Sequence, residues 1–139
     1  MEASITLKAI GKTFRDNILL ADLSFGVEKG STFVILGENG AGKSIVLKLL
    51  VGLIEKDVGM AYIHGKDISP RGYEIRSITG YMPQTIDLDD ELTVLENLEI
   101  FGQLHKLSPS DAHNNALDWA EQLNFQNNLQ RMPGDLSYG

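Results

Sequence analysis

Thr32-Phe33-Val34-Ile35-Leu36 runs directly into Gly37-Glu38-Asn39-Gly40-Ala41-Gly42-Lys43-Ser44, and Ile45 to Val51 follows. The first run is continuous, apolar and β-rich, the pattern of a central strand buried on both faces. The last reads as a buried helix. Between them stands G-x-x-x-x-G-K-[ST]. Glycines let the backbone curl so that successive N–H groups point at one set of anionic oxygens. The helix behind the loop presents its positive N-terminal end to the same anion. In such a loop the Lys43 ammonium lies against β- and γ-phosphates, and the Ser44 hydroxyl ligates Mg2+. A buried strand before and a helix after are the context this chemistry requires.

Outward from the loop, the chain divides by character. Ile5 to Ile10 alternates like a half-buried strand, and Leu23 to Val27 reads as a second, closed by a turn at Glu28-Lys29-Gly30-Ser31. Met60 to Ile63 and Ile78 to Met82 read as further short strands, ended by His64-Gly65 and by Pro83. From Ser77 to Gln130 nine acidic residues face one basic residue, Lys106, and the pattern becomes helical. Thr93 with Glu96 is a capping-box spacing, and Val94, Leu98, Phe101 and Leu104 fall on one helical face behind it. Ser108-Pro109 with Asp111 starts a second helix, whose apolar stripe is Ala112, Ala116, Trp119, Ala120 and Leu123.

The 139 residues suffice for one domain, and 42% apolar with 22% charged residues is a globular composition. A net charge of −7 argues against a nucleic-acid or anionic-membrane surface. The absence of cysteine excludes disulfides, thiolate metal sites and cysteine nucleophiles. Met1 to Ile5 lacks the features of a signal peptide. The longest apolar stretch, Ile45 to Ile54, is half of what a spanning helix needs and contains Lys48 and Gly52. The expectation is a soluble chain without direct membrane insertion. His64, His105 and His113 share no ligand spacing and read as solvated or capping residues. The acidic run Asp87-Leu88-Asp89-Asp90-Glu91 lacks the glycine and ligand spacing of a calcium loop and reads as a solvated face.

Ile78-Thr79-Gly80-Tyr81-Met82-Pro83-Gln84 follows the loop, and Leu136-Ser137-Tyr138-Gly139 closes the sequence. In this order and spacing, from Ile5 to Gly139, the chain resembles the ATP-binding cassette (ABC) ATPase family. The resemblance implies an α/β P-loop NTPase fold, an ABC nucleotide-binding domain. It is incomplete, with a β-rich P-loop part at 1–84 and a helical part at 85–139 ending at the signature. It implies that Phe14 stacks on adenine where the family commonly has tyrosine. Gly37, Asn39, Gly40, Ala41, Gly42, Lys43, Ser44 and Ile45 would hold the phosphates of ATP. Ile45 stands where the family usually has threonine, so one hydroxyl near the α-phosphate is missing. Gln84 matches the glutamine that touches Mg2+ and the attacking water and senses the transmembrane partner. Leu136, Ser137, Tyr138 and Gly139 match the signature that contacts the γ-phosphate held by a second subunit, with Tyr138 where glycine is usual. Leu92-Thr93-Val94-Leu95-Glu96-Asn97-Leu98 is most similar to ATPases of drug and lipo-oligosaccharide exporters.

The implied partners are a transmembrane permease subunit and a second ABC ATPase in a head-to-tail dimer. The implied location is the cytoplasmic face of the membrane, reached through the permease. The family's water-orienting Asp-Glu and later histidine have no match in these 139 residues, so the chain is expected to be a truncated subunit. It should bind nucleotide without efficient hydrolysis, because the group that orients water commonly contributes roughly 10²–10⁴-fold in rate. Without further strands, Thr32 to Leu36 should lose partners and expose an apolar edge. The alternatives are a non-catalytic nucleotide-binding or assembly protein, and a soluble ABC ATPase of DNA repair or translation.

Overall fold

Two strands longer than their alternation predicts open the chain, β1 (Ala3–Phe14) and β2 (Asn17–Glu28). They form an antiparallel hairpin, and β3 (Val58–Ile63) and β4 (Lys66–Asp67) extend it into a sheet of order β2-β1-β3-β4. The computed structural model describes residues 3–69, 72–84 and 88–136. These fall into two compact units, Met1–Met82 and Pro83–Gly139.

The hairpin is long but bulged. Between Leu7/Phe25 and Ile10/Leu23 β1 carries one extra residue, and between Ile10/Leu23 and Lys12/Leu20 the extra residue is on β2. Ala9 and Asp22 take left-handed φ values of 50° at these points, and each bulge bends the ribbon and adds twist. The Ala9 N–H, released from the ladder, donates to Ser24 Oγ at 2.8 Å. The curved sheet closes on helix α1 (Lys43–Leu50) and the short helix α2 (Gly72–Arg76). Leu7, Ile10, Leu49 and Ile75 are fully buried in their common core. Full burial of such a side chain contributes roughly 2 kcal/mol.

Two expected strands are not strands. Thr32 to Leu36 has no ladder partner among the described residues, and Val34 and Leu36 are 66% and 86% exposed. A strand is defined by its neighbours, and an apolar run without them stays extended and unpaired. Only Ile35 packs on the core, while Phe33 stacks on Phe25 with ring centroids 4.9 Å apart. The run is not a sheet edge; what it exposes is apolar side chains, Phe33, Val34 and Leu36. Ile78 to Met82 begins instead in the turn that follows α2, where the Ile78 N–H and the Thr79 hydroxyl both donate to the Ile75 carbonyl.

In the second unit, α3 (Val94–Leu104) and α4 (Pro109–Gln122) start where their caps predict. Thr93 Oγ1 accepts from Glu96 N, and Glu96 Oε2 accepts from Thr93 N at 2.7 Å. Ser108 Oγ accepts from Asp111 N at 3.1 Å. The predicted apolar stripes are only partly buried. Val94, Ala112, Ala116 and Ala120 are inside, while Leu104, Trp119 and Leu123 stay exposed. Small residues decide the crossing, since a Cβ on Gly102 would lie 2.8 Å from the Ala112 Cβ. The helices meet along that narrow seam, and the larger side chains are left beside it.

Among the described residues, the buried polar one is Asn97. Its Oδ1 accepts from Asp89 N at 2.9 Å, and its Nδ2 donates to the carbonyls of Asp89, Leu92 and Thr93 at 3.0 to 3.3 Å. The acidic loop is thereby fastened to α3. His64 lies in a turn and His105 follows the end of α3, as read, but His113 does more: its Nδ1 is 2.6 Å from Glu99 Oε1 and ties α4 to α3.

Candidate functional site

The loop after Leu36 takes the curled form its glycines permit. Gly40 and Gly42 both sit at φ 86°, a conformation that side chains with a Cβ adopt at a cost of about 1–2 kcal/mol. Gly42 is excluded from substitution twice over. A Cβ there would come within 2.9 Å of the Leu19 carbonyl oxygen and of Leu20 Cδ2. Leu19 is itself an extra residue, placed between the pairs Lys12/Leu20 and Thr13/Ile18. The bulge thus pushes a β2 carbonyl against the loop and sets the loop on the hairpin.

Helix α1 begins at Lys43, and the first intrahelical bond runs from Val46 N to Gly42 O at 3.0 Å. Gly42 has no side chain with which to cap it, and the first turn holds no acid. The N–H groups of the first turn and the positive end of the helix are left for an external anion. Lys43 turns back over the loop and donates to the carbonyls of Gly37 and Glu38 at 2.8 and 2.7 Å. Its ammonium has three donors. Ala41 N donates to Glu38 O at 3.2 Å and tightens the curl. Asn39, Ala41 and Ser44 are exposed at its surface, and Ser44 is the second residue of the helix. Ile45 is half-buried and packs on the core, so the side chain that replaces a hydroxyl has a packing role.

Beside the loop lies a cleft of about 370 Å3, lined by Leu20, Phe25, Phe33, Leu36 and the edge of Lys43. Its walls are apolar, so it suits side chains and not phosphates. Among the described residues there is no group of three His, Cys, Asp or Glu that could hold a metal. The hydroxyl of Ser44 is an oxygen donor of the kind Mg2+ takes, but one protein oxygen alone does not retain that ion; phosphate oxygens and water would supply the rest.

Phe14 ends β1 and is 59% exposed, so it is not a core aromatic. It pairs with Asn17, two residues before the bulged Leu19 that touches Gly42. An ideal ladder, with a rise of about 3.3 Å per residue and strands about 5 Å apart, would put the Phe14 backbone on the order of 10 Å from the loop. The approach to it is fixed by Asp57, which accepts from Lys12 Nζ and from Thr13 N, both at 2.7 Å. Those two donors hold the Asp57 carboxyl below its ordinary range.

The remaining expected site residues belong to the second unit. Gln84 is an exposed loop residue. Leu136 packs with Leu95 and Phe125 against Val94, Ala120 and Leu129. Ser137, Tyr138 and Gly139 lie outside the described residues. The sequence reading missed the Leu19 carbonyl, the Lys43 acceptors and Asn97. The last was visible in outline, because an asparagine three residues after Val94 shares its buried helical face.

The ABC transporter family matches residues 20–139 of this sequence. Nod factor export ATP-binding protein I of Burkholderia lata is 35% identical over 137 residues, which is 99% of this chain and 45% of that protein. A molybdate/tungstate import ATP-binding protein of Thermococcus kodakarensis is 33% identical over 135 residues, 97% of this chain and 40% of that protein. The chain thus spans about half the length of the curated relatives it matches. The dimeric structure of a post-hydrolysis ATP-binding cassette bound to ADP and Pi matches with a TM-score of 0.82 at 23% identity, over 96% of this chain and 63% of that one; it bears on the fold. With a glycine-rich loop of this geometry between an apolar run and a helix, and a family match over most of its length, the chain belongs to the ABC transporter family and carries the fold of its ATP-binding cassette.

Proposed function

We propose that the chain is the nucleotide-binding part of an ABC transporter ATPase subunit that couples ATP binding and hydrolysis to export through a transmembrane partner. The observation that carries this is the Lys43 ammonium folded over the Gly37 and Glu38 carbonyls at the uncapped start of α1. A triphosphate placed there meets the N–H groups of the loop, the helix end and the lysine together. Asn39, Gly40, Ala41, Gly42 and Ser44 would hold its oxygens, Phe14 would stack on the adenine, and Ser44 would be a protein ligand of the accompanying Mg2+; the role carried over for Gln84 is that of a further Mg2+ ligand. Phosphoryl transfer depends mostly on positioning and charge stabilisation. These 139 residues offer the phosphate grip without an apolar strand ending in Asp-Glu to orient water. By themselves they bind ATP and turn it over far below the usual range.

Leu136 to Gly139 serve the nucleotide of a second cassette in head-to-tail contact. The matched ADP-bound cassette is a dimer, which supports a second cassette as partner. Among the described residues no helix is long and apolar enough to cross a membrane. The subunit sits on the cytoplasmic face by docking on a permease. Export is favoured by the Burkholderia relative, an export ATP-binding protein; the import protein at similar identity makes import the second reading.

Calorimetry with Mg-ATP tests the proposal. The wild-type chain binds, and Lys43→Ala binds about 10- to 100-fold more weakly, the worth of about one hydrogen bond to a charged group. Equal heats for the two proteins, or no heat from either, would overturn it. A phosphate-release rate on the order of 1 s⁻¹ from the isolated chain, within the usual enzyme range, would overturn the claim of slow hydrolysis.

A further inference from the structure

We propose that Arg15 is a nucleotide-affinity residue that acts through the Phe14 ring. Its guanidinium carbon lies 5.4 Å from the ring centroid, within cation–π distance. Phe14 is 59% exposed although that cation stands over one face of its ring. The opposite face is the surface offered to a base.

Local structure explains why the arginine is there. Phe14 and Asn17 are the last pair of the β1–β2 ladder, so Arg15 and Asp16 form the two-residue tip. Such tips favour residues with positive φ, usually Asn or Gly. Arg15 takes φ 54° instead, and the turn brings its side chain back over the preceding ring. An ideal ladder would put the backbone of the tip on the order of 10 Å from the phosphate loop, a distance that ribose and α-phosphate can bridge. Lys12 and Thr13 are clamped to Asp57 just behind it, so the stack is held on a fixed strand.

An aromatic face is electron-rich and resists an electron-rich partner placed squarely upon it. A guanidinium on the far side draws that density toward itself and lets the near face accept a purine. Arg15, Phe14 and the base thus form a three-layer stack in which the arginine touches only the ring. This inference rests on the nucleotide-binding reading and adds to it a determinant of affinity for the base.

The test is a fluorescence titration of the 139-residue chain with a fluorescent ATP analogue and Mg2+. The proteins are wild type, Phe14→Ala, Arg15→Ala, the double variant and Lys43→Ala. Inorganic tripolyphosphate serves as a competitor that carries no base. Arg15→Ala is expected to weaken the analogue three- to tenfold, leave tripolyphosphate unchanged and have no further effect once Phe14 is alanine. Unchanged tripolyphosphate binding also shows that the variant retains its fold. Equal or tighter analogue binding by Arg15→Ala overturns the proposal. So does a loss that persists in the Phe14→Ala background, which would place the arginine on the phosphates. If wild type and Lys43→Ala both fail to bind the analogue, the nucleotide-binding reading itself falls, and this inference with it.

Discussion

Three helices of this chain begin in two different ways. Helices α3 and α4 close their own starts, with Thr93 and Glu96 at one and Ser108 and Asp111 at the other. The first N–H groups of α3 are further taken by the backbone, Val94 by the Arg131 carbonyl and Leu95 by that of Leu129, both at 2.9 Å. Helix α1 does the reverse, with a glycine at its cap and no acid in its first turn. The energetic preference for filled helix starts is general. A start left open by sequence, next to glycines held at positive φ, is therefore a position reserved for something else. The helical unit uses side chains to finish itself; the P-loop unit uses backbone geometry to stay unfinished at one point.

The contrast breaks most easily at Gly42. Gly42→Ala adds left-handed strain and a collision with the Leu19 carbonyl. It is expected to reduce ATP affinity about 100-fold or more by titration, while the α3–α4 unit keeps its helical signal. An intact affinity would show that the loop relaxes away from the hairpin at no loss.

The counterpart in the helical unit is Asn97→Ala. It removes the amide that serves four backbone groups around Asp89 to Thr93. The expected destabilisation is about 3 kcal/mol, seen as a fall of roughly 10 °C or more in the melting of that unit. ATP affinity is expected to stay within twofold.

Ile45→Thr probes both regions at once. The restored hydroxyl is expected to tighten nucleotide binding by up to about tenfold. The lost apolar contact with the core should lower stability by about 1 kcal/mol. Affinity and melting temperature moving in the same direction would contradict the packing role assigned to Ile45.

The smallest effect concerns acid. The Thr93 N–H and hydroxyl hold the Glu96 carboxyl below its ordinary range. The unfolded chain therefore takes up this proton first as pH falls. The stabilisation is present at neutral pH, begins to fade near about pH 4.3, the ordinary glutamate value, and is gone below the lowered one. In Glu96→Gln the acid side of the melting profile should be shallower. An unchanged slope would remove Glu96 from the cap.

Local features were legible in the sequence and remote ones were not. The loop, the capping box and the Ser108-Pro109 start depend on residues within one turn of each other, and the structure has them where the spacing places them. Thr32 to Leu36 reads as a strand because apolar β-rich runs usually find partners, but strand identity depends on residues far away in sequence. The same holds for the stripe through Leu98, Phe101 and Leu104, since periodicity marks a face without saying what covers it. The stack of Arg15 on Phe14 arises from the hand of a hairpin tip, and the push of Leu19 on Gly42 arises from a one-residue register slip. Neither leaves a residue-type signature.

The posture of Lys43 has a calorimetric consequence. Its ammonium already engages two oxygens of the chain itself. Association with a nucleotide is then largely an exchange of acceptors for that proton donor, carbonyl for phosphoryl. The heat released will be smaller than a count of contacts in the complex suggests.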